Sequence, residues 1–296
     1  GSCVLCLMLM APLPDFKWWT NKKQMEETEM NRRLLLAATA GLAMAFGMST
    51  AARADQLADV KAAGKITATT EMHFAPFDIL DGTEFKGIDR DLFDEVAKEL
   101  GVTPEYIDLP WDSVLPGLEA KKYDFVVAPV TITAERMKRY SFTLPIGDAT
   151  VAMVKKAGDD SISKPEDLAG KAVGSQKGSA QLEQLKTFSA TLPTPIDVRE
   201  YVNQDEALAD LAAGRIQAVA NSLPLMGYAA VQRPDTFALV MPPFGAKKYF
   251  AWVLRPGDDS KSLQEAINAA LLKMHDDGRM EAINKKWLGV MPDIPK

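Results

Sequence analysis

Thiols are almost missing from this chain of 296 residues: its two cysteines, Cys3 and Cys6, both lie at the extreme N-terminus. From residue 55 onward there is none, which excludes disulfides, cysteine nucleophiles and thiolate zinc sites from that part of the protein. Histidine is as scarce. His73 and His275 stand far apart with no acid at metal-ligand spacing beside either, so neither a metal nor any other cofactor is expected. Basic tracts are missing too. Lysines reach only pairs such as Lys121-Lys122 and Lys247-Lys248, and the net charge is −6, which speaks against nucleic acid as a partner. Nor is there a long hydrophobic run: the apolar stretch from Leu34 to about Met48 falls short of the ~18 residues a transmembrane helix needs.

That short stretch has another reading. From Met30 the chain runs MNRRLLLAATAGLAMAFGMSTAARADQ, with a basic start, an apolar middle and the A-x-A pattern at Ala52-Arg53-Ala54. This predicts a secretory signal peptide over residues 30–54, cleaved after Ala54, and hence a periplasmic protein. Residues 1–29 are then an upstream extension or a misassigned start. No cysteine follows the cleavage point to take a lipid anchor, so the exported protein is expected to be free of the membrane. Its composition, 47% hydrophobic and 25% charged over the whole chain, suits a globular fold.

Short apolar runs alternate with amphipathic stretches from residue 55 on, the pattern of an α/β protein. KITATT (65–70) reads as a strand leading to Glu71, and DFVVAPV (124–130) as a second, buried one. Asp89 is placed to cap a helix whose apolar face carries Leu92, Phe93, Val96 and Leu100 before Gly101 stops it. Gly178-Ser179 precedes a helix beginning near Ala180, and a helix N-terminus offers free N–H groups to an anion. The closing helices are separated at Gly278.

One short segment poses the functional question. TITAERMKRYSFTLP (131–145) sets Arg136 behind small hydroxyl residues at the C-terminal end of a strand, where open α/β sheets bind ligands. A guanidinium there either pairs with a neighbouring acid for structural reasons or receives a carboxylate. Its planar fork suits the second task, since it makes two parallel charge-assisted bonds.

Five segments in order, HFAPFDI, FKGIDRDLFDEVAKELG, PWDSVLPGLEAKKYDFVVAPVTITAERMKRYSFTLP, EDLAGKAVGSQKGS and ALADLAAGRIQAVA, resemble the bacterial periplasmic solute-binding proteins that serve polar amino acid ABC importers. The resemblance spans residues 60 to 290. It implies a two-lobed periplasmic binding protein fold of type II, two α/β lobes joined by two hinge strands. Lobe 1 is expected over 55–147 and 245–296, and lobe 2 over 148–244.

The resemblance also implies a site. Arg136 matches the arginine that clamps a ligand α-carboxylate, and Thr131 a hydroxyl that assists it. Phe74 and Trp111 match two aromatics that sandwich the ligand side chain, although Phe74 and Phe77 are alternatively both core. Ser179 and Ala180 match a loop whose N–H groups meet the same carboxylate. Glu71 stands where the family places an acid facing a distal ligand charge, or is a solvated carboxylate at a strand end.

Two departures matter. Ser222, after Asn221, stands where an aspartate usually meets the ligand ammonium, and Pro129 replaces a small residue, leaving a carbonyl acceptor but no N–H. A buried ligand cation without a partner is strongly disfavoured. The ligand therefore either lacks a free primary amine, like an opine, a betaine or an ectoine-like solute, or is an ordinary polar amino acid neutralised by another acid, with Glu71 the candidate. The expected protein is a monomeric receptor for a small zwitterion that docks on an ABC membrane permease. The alternatives are a dehydratase of cyclohexadienyl type on the same scaffold, needing a second acid or base beside Glu71, and a ligand-sensing partner of a membrane receptor acting in trans.

Overall fold

The computed structural model describes residues 55–296. The expected signal peptide, its cleavage after Ala54 and the extension over 1–29 lie outside the described residues. The described chain forms two α/β lobes, each built on its own sheet.

The first sheet has the strand order β5-β1-β6-β14-β7, with β8 also pairing β14. Its strands are β1 (Lys65–Thr70), β5 (Thr103–Asp108), β6 (Phe125–Thr131), β7 (Ser141–Phe142), β8 (Gly147–Asp148) and β14 (Tyr249–Leu254). β1 runs parallel to β5 and β6, whereas β14 returns antiparallel to β6. Every residue of β6 is buried, which is why FVVAPVT reads as a continuous apolar run without alternation. A small sheet of β2 (His73–Phe74), β3 (Asp78–Asp81) and β4 (Glu84–Lys86) lies between β1 and the first long helix.

That helix, α2 (Ile88–Leu100), follows α1 (Gln56–Ala63) and buries Leu92, Phe93, Val96 and Leu100 along one stripe. At about 1.5–3 kcal/mol for each large apolar side chain removed from water, this stripe holds the helix to the sheet. Gly101, at φ 72°, ends it as expected. Its start differs from the expectation. The N-cap is Gly87, at φ 131°, where an added Cβ would lie 2.0 Å from the Phe77 carbonyl oxygen. Asp89 instead sits fully buried inside the first turn, accepting a hydrogen bond from Trp252 Nε1 at 2.9 Å. A buried indole N–H needs an acceptor, and that need decides where this carboxyl goes.

The second sheet has the order β11-β10-β12-β9-β13. It comprises β9 (Val151–Lys156), β10 (Ala172–Gln176), β11 (Asp197–Tyr201), β12 (Ala218–Ser222) and β13 (Phe237–Phe244). Its parallel members β10, β11 and β12 are joined through α5 (Ala180–Ser189) and α6 (Gln204–Ala212), and α7 (Leu223–Gln232) follows β12. The chain passes from the first sheet to the second between Asp148 and Val151 and returns between Phe244 and Tyr249. It ends in α8 (Asp258–Asp277) and α9 (Arg279–Leu288) on the first lobe, with Gly278 at the break. The short α3 (Trp111–Glu119) and α4 (Ala134–Met137) complete that lobe. Among the described residues, no helix is long and apolar enough to cross a membrane.

Candidate functional site

The parallel strands of both lobes deliver their carboxyl ends to one cleft. Glu71 follows β1 and Thr131 ends β6 on one side, and Gln176 ends β10 on the other. Between them lies a small cavity walled by residues of both lobes. Eight of the ten expected site residues line it: Glu71, Phe74, Trp111, Pro129, Thr131, Arg136, Ser179 and Ala180.

Arg136 is held by local geometry. Thr133 caps α4, its hydroxyl accepting from the Arg136 backbone N–H at 3.2 Å, so the single turn of helix swings the guanidinium back over the end of β6. One terminal nitrogen donates to the Thr131 carbonyl at 3.1 Å, and the other crosses the cleft to the Gly178 carbonyl at 3.2 Å. The Trp111 ring lies against it, 5.5 Å from guanidinium carbon to ring centroid. Burial pushes its pKa down to about 10, so it stays charged at neutral pH. Among the described residues no carboxylate lies within ion-pair distance of it, unlike Arg90, Arg139, Arg215 and Arg279, each of which has an acid partner.

The opposite wall is the N-terminal end of α5. Gly178, at φ 73°, turns the chain so that its carbonyl accepts from both Trp111 Nε1 and Arg136, and Ser179 caps the helix by accepting from the Leu182 N–H at 3.0 Å. The Ser179 N–H itself turns back to the Gln176 carbonyl at 3.2 Å. Ala180 and Gln181, in the first turn, have no intrahelical acceptor and are the donors that face outward. The Gln181 side chain bridges the lobes, donating to Thr131 Oγ1 at 3.1 Å and to the Ala149 carbonyl at 3.3 Å.

Phe74, 7% exposed, stands on the cavity wall with its edge toward Phe250, whereas Phe77 is wholly core. Glu71 is 4% exposed and accepts a 2.6 Å hydrogen bond from Gln176 Nε2 of the second lobe. Burial pushes its carboxyl up to about 8, an effect that Gln176 opposes and the charges of Asp108, Asp205 and Asp112 reinforce. It is not a solvated strand-end carboxylate. Beside it, Asp78 lines the cavity with both oxygens buried, near Thr70 and facing Asp89. Burial pushes both carboxyls well up, and the charge of Asp89 adds to the rise at Asp78, so that the pair holds on to a proton.

Asn221 and Ser222 are not on the cavity wall. Asn221 is buried in the second lobe, donating to Gln204 Oε1 at 2.7 Å and accepting from the Ser222 N–H at 2.7 Å. Ser222 is the N-cap of α7 and its hydroxyl is buried without a partner. Conversely, Asp78, Gln176 and Gln181 line the cavity and were not singled out in the sequence. Gln176 had a legible signal, two residues before the Gly178-Ser179 turn that the sequence assigns to the site. Asp78 had none, since an acid after Pro-Phe reads as a surface turn. Among the described residues no cluster of three or more potential metal ligands occurs.

Over residues 66–290 the chain matches the bacterial extracellular solute-binding proteins, family 3. It is 30% identical over 276 residues to the L-cystine-binding protein TcyJ of Escherichia coli K12, covering 92% of this chain and all of that one. Among solved structures it is similar to an ancestral arginine-binding protein bound to arginine, at 35% identity and a TM-score of 0.70, covering 76% of this chain and 99% of the other. A structure described as an ancestral arginine-binding protein bound to glutamine matches at 35% identity and a TM-score of 0.69, covering 76% and 98%.

Proposed function

The chain belongs to the bacterial extracellular solute-binding proteins of family 3, and from that premise we propose that it captures a small carboxylate-bearing zwitterion, an amino acid or a derivative of one, and presents it to the permease of an ABC importer. The observation that carries this reading is Arg136, a guanidinium on the cavity wall that stays charged and has no acid partner among the described residues. A ligand carboxylate is the counter-ion that such a group lacks, and the outward N–H groups of Ala180 and Gln181 stand at the positive end of α5 to share it. Lobe 1 comprises residues 55–147 and 245–296, and lobe 2 residues 148–244. Each cleft is complete within one chain, so the working unit is a monomer. Its place is the periplasm, reached through the signal peptide.

The remainder of the ligand lies between Phe74 and Trp111 and points to Glu71. With Ser222 off the cavity wall, the acceptors offered to the α-amine are neutral, the Pro129 carbonyl and the Thr131 hydroxyl. Those acceptors favour two ligand classes: polar amino acids whose distal group reaches Glu71, and zwitterions with an alkylated or delocalised nitrogen such as opines, betaines and ectoine-like solutes. The relatives described above are named as binding proteins for cystine and arginine, which favours the first class. A thermal-shift screen of the purified protein against both classes tests the reading, because a ligand that binds only the folded state raises the melting temperature by mass action. A shift of several degrees with at least one carboxylate-bearing zwitterion is expected. Absence of any shift across both classes at millimolar concentration would overturn it.

A further inference from the structure

Glu71 is an unusual neighbour for a ligand's distal group. Among the described residues, the one hydrogen bond it receives comes from a neutral donor, the Gln176 amide at 2.6 Å, and that bond spans the two lobes. The charged groups around it are mostly acids. Asp108 ends β5, Asp112 lies on α3, Asp205 lies on α6, and Asp78 on β3 faces the same cavity. His73 on β2 is turned to Asp205 at 3.3 Å. The cavity's cation, Arg136, is held at the other wall by Thr131 and Gly178. No basic side chain of the described residues lies within ion-pair distance of Glu71, and burial holds its carboxyl up near 8.

We propose that Glu71 is a charge-adaptive selectivity residue, keeping its proton when the ligand's distal group is neutral and releasing it to solvent when that group is cationic. Gln176 is its positioning residue. An amide N–H donates to a carboxylate oxygen and, more weakly, to the carbonyl oxygen of a carboxylic acid, so the bond across the cleft is available in both states. A lysine or arginine at 176 would fix Glu71 as the anion, and a leucine would leave it without a partner. The inference rests on the function proposed above, with a carboxylate at Arg136 and the side chain directed to Glu71. It would let one cleft take distal groups of different charge with Arg136 as the one cation among the described residues of its wall.

Its consequence is a count of protons. Complexes with a cationic and with a neutral ligand differ by one proton at Glu71, whatever the protonation state of the ligand-free protein. The probes are L-arginine and L-glutamine. Calorimetric titration at pH 7 in buffers of different ionisation enthalpy reads protons exchanged per ligand bound, and the two counts are expected to differ by about one. In parallel, the ratio of arginine to glutamine affinity should rise about tenfold per pH unit between about pH 6 and 8 and level off above. In Glu71→Gln both the difference and the slope should vanish. Should only one probe bind, the carbon-13 shift of the Glu71 carboxyl reads the state directly: ionised with arginine, protonated with glutamine. Equal proton counts, a slope that persists in Glu71→Gln, or the opposite carboxyl state would overturn the inference while leaving the receptor function intact. Failure of every zwitterion to bind would instead overturn that function and this inference with it.

Discussion

A charge that is half-buried and left without a partner among neighbouring side chains is costly unless something else supplies the partner. Arg136 has two carbonyl acceptors and one aromatic face, which orient the guanidinium but do not neutralise it. Removing it should therefore act on binding far more than on folding. Arg136→Ala is expected to weaken any carboxylate ligand by about 2–5 kcal/mol, roughly 30-fold or more, with the melting temperature of the ligand-free protein hardly lowered. Isothermal titration of wild type and variant against one ligand checks this, and unchanged affinity would remove the carboxylate clamp from the site. The residue was legible in the sequence because its neighbours, a buried strand followed by Thr-Ile-Thr, fix where a single turn of helix puts it. The partners of Asp89 and Asp78 were not legible. Trp252 reaches Asp89 from 163 residues further along, and no local pattern encodes that.

At the scale of the element, the N-terminus of α5 does two tasks. Ser179 satisfies the Leu182 N–H inside the helix, and that leaves the Ala180 and Gln181 donors to the cleft. Ser179→Ala should cost about 1 kcal/mol of stability from the lost cap, measured by urea unfolding, together with weaker carboxylate binding as the loop loses its fixed geometry. A loss of binding with no change in the unfolding midpoint would assign the hydroxyl to the ligand instead of the cap. Most elements follow from local signals: β1 occupies the expected residues, α5 begins at Ala180, and α8 and α9 part at Gly278. The start of α2 does not, because Gly87 wins the cap position through a backbone conformation that side chains resist. β12 shows the same limit. Its existence was readable, yet Ser222 at its end stands at the N-cap of α7 and is wholly buried.

At the scale of the whole molecule, the two lobes meet across the cleft through a few polar contacts. They are Trp111 and Arg136 to Gly178, Gln181 to Thr131, Gln176 to Glu71, and His73 to Asp205. Each is a modest net gain when water is the alternative partner, about 0.5–1.5 kcal/mol, so a ligand that joins the two walls should favour the closed form. A measurable fall in radius of gyration is expected when a saturating ligand is added, read by small-angle X-ray scattering. Identical scattering with and without a ligand that demonstrably binds would reject hinge closure. The sequence by itself determined the α/β class and the order of the elements, since these depend on periodicity and turn residues along the chain, and its five ordered segments carried the family resemblance and put Arg136 forward as the candidate clamp. Only the tertiary structure decided what surrounds Glu71, that Asp78 joins the cavity and that Ser222 leaves it. Burial and the identity of a neighbour across a cleft arise where distant segments meet, and desolvation there, rather than residue type, sets which carboxyl keeps its proton.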